Sequence, residues 1–82
     1  MNKVCVVGLG FVGSAMATAI AIAGKKNKPI YEVVGIDLEN DQGIKRINSI
    51  NKGIFPFSTE DKNLLSSFLR AIKQGNLKAT TN

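Results

Sequence analysis

Apolar positions along the chain change their period several times, and each change marks an element. Residues 3–7 hold the continuous run Val4, Cys5, Val6 and Val7, the pattern of a strand buried on both faces of a parallel sheet. The run stops at Gly8. From Phe11 to about residue 23, Met16, Ala17, Ala19, Ile20, Ala21 and Ala23 place small or apolar groups on nearly every side, which predicts a helix pressed closely onto a sheet. Gly24 is the predicted stop, and residues 25–29 read as a polar turn. Tyr31, Val33, Val34 and Ile36 then make a second strand over residues 31–36 that ends in Asp37. The order strand, helix, strand predicts a right-handed crossover.

Further on, Ile44, Ile47 and Ile50 recur every third residue, so residues 41–51 are expected to form a short helix with one apolar face, closed by Gly53. Pro56 cannot continue it. Ser58, with Asp61 three residues on, is the predicted cap of a third helix whose stripe is Leu64, Leu65, Phe68, Leu69 and Ile72, with Gly75 just past its end. Residues 77–81 read as a third strand. The fold class is therefore α/β: a partial Rossmann-type doubly wound parallel sheet of about three strands, in the order 3-2-1, with three helices. Residues 1–82 form a single unit, expected to be the N-terminal portion of a dinucleotide-binding domain that stops before a fourth strand. That leaves the first strand with an unpaired edge, a template for pairing with another copy, so a homo-oligomer is expected.

The chemistry rests on two features. Gly8-Leu9-Gly10-Phe11-Val12-Gly13 lies between the first strand and the first helix, where glycines allow a tight turn, close backbone approach to a pyrophosphate and close helix packing. Main-chain N–H groups and the helix dipole would carry that contact, so Phe11 and Val12 contribute backbone. Asp37 ends the second strand, where a carboxylate accepts hydrogen bonds from a ribose diol. An aspartate there repels a 2′-phosphate, which selects NAD over NADP. Gly8, Gly10, Phe11, Val12, Gly13 and Asp37 are the candidate cofactor-binding residues, and no catalytic or metal-ligating residue is assigned.

Composition narrows the setting more than the function. With 82 residues, 44% of them apolar and 21% charged, the chain is a small globular unit with a limited core. Its net charge of +5 is spread along the sequence apart from Lys25, Lys26 and Lys28, which stand without interleaved aromatics and read as a solvated loop rather than a nucleic-acid site. Residues 4–24 carry no charge and invite a reading as a signal peptide or membrane span, but Gly8, Gly10 and Gly13 interrupt the apolar run. A single cysteine and no histidine fit a reducing, cytoplasmic setting, and Cys5 is expected to be a small buried strand residue.

Residues 3–13, 31–37, Ile47-Asn48-Ser49 and 75–82 together resemble the N-terminus of the nucleotide-sugar 6-dehydrogenases, the UDP-glucose, UDP-N-acetylmannosamine and GDP-mannose dehydrogenase group. The resemblance implies that Gly8, Gly10, Phe11, Val12 and Gly13 line the NAD pyrophosphate and that Asp37 holds the adenosine ribose. It also implies that the full-length enzyme oxidises the C6 alcohol of a nucleotide-linked sugar to a carboxylate with two NAD molecules, through a downstream cysteine that no position here matches. There are departures. Phe55-Pro56-Phe57-Ser58 stands where the family usually has Glu-Pro-Gly, Ser14 and Ala15 replace bulkier residues, and Gln42 falls where a basic residue usually follows the ribose aspartate, with Lys45 as its nearest substitute. Two alternatives share the same residues: a non-catalytic oligomeric nucleotide-binding module, and a fragment of another NAD-dependent dehydrogenase.

Overall fold

The structure, a computed structural model, describes residues 1–25 and 28–81. Its elements in chain order are β1 (Asn2–Val7), α1 (Phe11–Ala21), β2 (Gly24–Lys25), β3 (Lys28–Pro29), β4 (Tyr31–Ile36), α2 (Asp41–Asn51), α3 (Lys62–Gln74) and β5 (Leu77–Thr80). The main sheet runs β1-β4-β5, and both pairings are parallel, with Val4 beside Val33 and Val33 beside Leu77. This is the expected 3-2-1 order. In addition, β2 and β3 pair antiparallel, with Gly24 beside Pro29 and Lys25 beside Lys28, within the stretch predicted as a polar turn. Lys26, part of the predicted basic loop, lies outside the described residues.

One core unites the sheet with all three helices. Val6, Val33, Leu77 and Ala79 share a sheet face, since side chains alternate along a strand and parallel partners point the same way. They form one cluster with Ala17 and Ala21 of α1, Ile47 and Ile50 of α2, and Phe68 and Ala71 of α3. All three helices therefore cover the same face. The alternate residues of β1 point away from them, which corrects the expectation of a strand buried on both faces: Val7 is 80% exposed and Cys5 is exposed rather than buried. Val34, flanked in register by Cys5 and Lys78, is the buried exception on that side.

Both sheet edges differ in how they end. The Asn51 side chain donates to the Ala79 carbonyl at 2.9 Å and accepts from the Ala79 N–H at 2.9 Å, so it completes the outer edge of β5 as a strand would. Among the described residues β1 pairs with β4 alone. Buried Asn76 ties the layers together by donating to the carbonyls of Ala21 and Tyr31, each at 2.8 Å.

Several local expectations shift by a turn or less. Helix α1 ends at Ala21 rather than near residue 23, with Ile22 as its cap. Asp61, not Ser58, caps α3, its carboxylate accepting from the Leu64 N–H at 3.0 Å. Leu69 is 58% exposed and Ile44 is also exposed, while Ala71 is fully buried. Gly75 closes α3 in the left-handed region, as expected. Among the described residues, no helix is long and apolar enough to cross a membrane.

Candidate functional site

Strand β1 turns into α1 through Gly8, whose φ of 91° few side chains tolerate and whose N–H donates to the Ile36 carbonyl at 2.7 Å. Leu9 then folds wholly inside the core. Gly13 is required by close approach: a Cβ there would collide with the Gly8 carbonyl, so helix and turn touch backbone to backbone. Ser14, buried, donates to the Leu9 carbonyl at 3.0 Å, and Thr18 donates to the Ser14 carbonyl at 2.9 Å. These two hydroxyls brace the turn. Sequence reasoning noted Ser14 only as a small residue, and its spacing of five from Leu9 carries no motif signal.

The N-terminus of α1 differs from those of its neighbours. Asn40 caps α2 and Asp61 caps α3 through side-chain oxygens, whereas Gly10 precedes α1 with no side-chain cap, and the first turn of α1 holds no acidic residue. The first-turn amides and the positive end of the helix dipole are thus left to whatever anion approaches. A Cβ at Gly10 would meet nothing within 4 Å, so open space lies in front of that turn. Phe11 turns its ring away to pack edge-on against Phe55 and Phe57, at centroid distances of 5.8 and 5.9 Å, while the Val12 side chain is exposed.

Asp37 stands at the end of β4 and faces the same turn. Its Oδ1 accepts from the Leu38 N–H at 2.7 Å, and its Oδ2 accepts from the Leu9 N–H at 3.0 Å and lies 3.4 Å from Arg46 Nη1. The side chain is only 9% exposed. The Leu38 N–H, followed by the Leu9 N–H and the Arg46 guanidinium, lowers its pKa below the usual aspartate value of 3.8, while burial opposes the shift. It is a carboxylate at neutral pH. The basic partner is Arg46 rather than the anticipated Lys45, which instead lines a neighbouring cavity of about 220 Å³ with Gln42, Arg46, Ser49 and Pro56.

A second cavity, about 310 Å³, opens at the carboxyl ends of the strands between Val7, Gly8, Ile36, Asp37, Leu38, Glu39 and Thr81. This volume lies at the small end of the range of ligand pockets, about 300–1,000 Å³. Gly8 and Asp37 line it; Gly10, Phe11, Val12 and Gly13 form the adjoining start of α1. Leu38, Glu39 and Thr81 were not anticipated, although their positions beside Asp37 and at the end of β5 place them where ligands sit in open parallel sheets.

Comparison with known proteins agrees with this geometry. The family described as "UDP-glucose/GDP-mannose dehydrogenase family, NAD binding domain" matches residues 2–82. The chain is 34% identical over 80 residues to the UDP-N-acetyl-D-mannosamine dehydrogenase of Methanocaldococcus jannaschii, and 38% identical over 80 residues to the enzyme of that name from Campylobacter jejuni, covering 98% of this chain in both cases. It spans 16% and 17% of those relatives' lengths. Among solved structures, the GDP-mannose dehydrogenase ternary complex from Pseudomonas aeruginosa superposes on the whole chain with a TM-score of 0.73 at 27% identity, this chain covering 16% of it. An NDP-N-acetyl-D-galactosaminuronic acid dehydrogenase from Methanosarcina mazei superposes at 0.83 and, at 24% identity, supports the fold. A glycine turn leading into an uncapped helix, an aspartate ending the next strand and a match over residues 2–82 converge, and the chain belongs to the NAD binding domain of the UDP-glucose/GDP-mannose dehydrogenase family.

Proposed function

We propose that this chain binds the adenosine diphosphate half of NAD across the carboxyl ends of β1, β4 and β5. The observation that carries this reading is the direct link between its two halves: the Asp37 carboxylate is held by the Leu9 N–H, inside the turn that presents the free amides of α1. In this reading Asp37 accepts from the ribose diol, Gly8, Gly10, Phe11, Val12 and Gly13 offer backbone to the pyrophosphate, and the cavity beside Val7, Ile36 and Leu38 takes the adenine. The residues fit the group. Gly10 leaves room where a side chain would block, the pocket wall is largely apolar, and Asp37 is ionised and opposes a 2′-phosphate.

When bound, NAD supplies a hydride acceptor. Within a protein of its relatives' length, we propose that this unit serves the oxidation of a nucleotide-sugar C6 alcohol to a carboxylate, with the sugar site and nucleophile contributed by other parts of that protein. As the N-terminal portion of the NAD-binding domain, it would place the adenosine half of the cofactor. A cytoplasmic setting accords with its single cysteine.

Titration of the purified chain with NAD and NADP, following the amide resonances of residues 8–13 and 37, tests the reading. Shifts with NAD but not NADP support it. Equal shifts with both overturn the selectivity assigned to Asp37, and none with either overturns binding by this chain.

A specific observation favours a second property, self-association. Val7 and Cys5 are exposed on the face of β1 turned from the helices, and among the described residues the outer edge of β1 pairs with no strand, whereas β5 has Asn51 along its edge. A homo-oligomer joined through β1 follows, and a monomeric mass at high concentration overturns it.

A further inference from the structure

Arg46 sits between two parts of the site that the preceding reading treats separately. Its Nη1 lies 3.4 Å from Asp37 Oδ2, and its guanidinium carbon stands 5.5 Å from the centroid of the Phe57 ring. Phe57 in turn packs edge-on against Phe11, the first helical residue after the glycine turn. The side chain is 30% exposed, so most of it is enclosed, and the contacts on its two sides fix it in place. One chain of contacts thus runs from the Asp37 carboxylate through Arg46 and Phe57 to the first residue of α1.

We infer that Arg46 is a positioning residue that sets ribose specificity: it pins the Asp37 carboxylate in the orientation that recognises the 2′-hydroxyl, with Phe57 holding the guanidinium in place. The inference rests on the assignment of Asp37 to the ribose. The reason lies in the load on Oδ2. The Leu9 N–H occupies one direction around that oxygen and Arg46 another, so the carboxylate cannot rotate without losing a charged partner. Without the guanidinium, the carboxylate keeps the Leu38 N–H on Oδ1 and the Leu9 N–H on Oδ2 but loses its one charged partner, and discrimination between ribose and 2′-deoxyribose falls. Lys45 lines the 220 Å³ cavity, whereas the contact with Asp37 is made by Arg46.

The test is titration of the full chain with AMP and with 2′-deoxy-AMP, by NMR, in the wild type and in Arg46→Ala, Arg46→Lys and Phe57→Leu. The wild type is expected to prefer AMP by about tenfold, the worth of one hydrogen bond to a charged group. Arg46→Ala is expected to reduce that ratio to below about threefold, Arg46→Lys to restore part of it by keeping the charge, and Phe57→Leu to lower it while leaving the guanidinium in the chain. A merely structural role would weaken both nucleotides equally and leave the ratio unchanged, which would overturn the inference. Failure of the wild type to bind either nucleotide would instead overturn the nucleotide-site reading itself. In parallel, the Asp37 carboxyl resonance should titrate at higher pH in Arg46→Ala than in the wild type; an unmoved titration would show that Arg46 exerts no hold on the carboxylate.

Discussion

The Leu9 N–H donates to the Asp37 carboxylate at 3.0 Å, joining two residues 28 positions apart. The contact makes Asp37 part of the turn as well as part of the pocket wall. Loosening either partner should disturb both ribose and pyrophosphate recognition.

Asp37→Asn should separate these roles. The amide retains one acceptor but presents N–H₂ to a second main-chain N–H, so one of the Leu9 and Leu38 donors loses its partner, at a cost of about 1–3 kcal/mol. Chemical denaturation would show the lost stability, and an NAD titration should show weaker binding. Unchanged values in both would remove Asp37 from the turn and the site.

The same carboxylate sets an acid limit. Its folded-state pKa is depressed, so the stability it contributes is complete above the unfolded value near 3.8 and is lost as pH falls through the lower folded value. Thermal melts between pH 7 and pH 2 should show a decline beginning around pH 4 that Asp37→Asn flattens. An identical acid profile in the variant would contradict the assignment.

Two glycines in one motif should fail differently. Gly13→Ala drives a methyl group into the Gly8 carbonyl and should cost about 3 kcal/mol, the upper part of the overpacking range. Gly10→Ala places its methyl in open space in front of α1; it should cost no more than about 1 kcal/mol, the usual loss on placing alanine at an N-cap, yet weaken NAD binding at least several-fold. Comparing melting temperature with affinity in the two variants checks this, and equal losses of stability would refute the contrast.

Cys5 provides a probe of the open face of β1. Because the strand is exposed there, a thiol reagent should modify Cys5 in the folded chain nearly as fast as in denaturant. Protection that grows with protein concentration would report association over that face of β1. A thiol that reacts only on unfolding at every concentration would contradict the exposed face.

Asn51→Ala removes both hydrogen bonds that complete the β5 edge. Stability should fall by about 1–3 kcal/mol as Ala79 loses its donor and acceptor partners. Aggregation, followed by light scattering on mild heating, should also rise, since an uncovered strand edge invites pairing. A variant as stable and as soluble as the wild type would show that water replaces the side chain fully.

Most of the element order could be read along the chain because its signals are local. The glycine spacing, the β-branched run ending at Asp37, the isoleucine period of α2 and the stop at Gly75 each depend on backbone and side-chain preferences within a few residues. Together they bring Gly8 and Asp37 to one end of a parallel sheet. Burial was less legible. An apolar run such as Val4-Cys5-Val6-Val7 specifies a strand but not which of its faces receives helices, so the exposure of Cys5 and Val7 is not legible in it. Side-chain partners chosen across long separations were equally hidden: Asn51 with Ala79, Asn76 with Ala21, and Arg46 rather than Lys45 with Asp37. Those depend on where α2 and α3 come to rest against the sheet. By itself, the sequence determined the elements, their order and the two ends of the candidate site, because turns, caps and periodicity act between near neighbours; the open face of β1, the completed edge of β5 and the bridge from Asp37 to Phe57 were decided only when the layers packed.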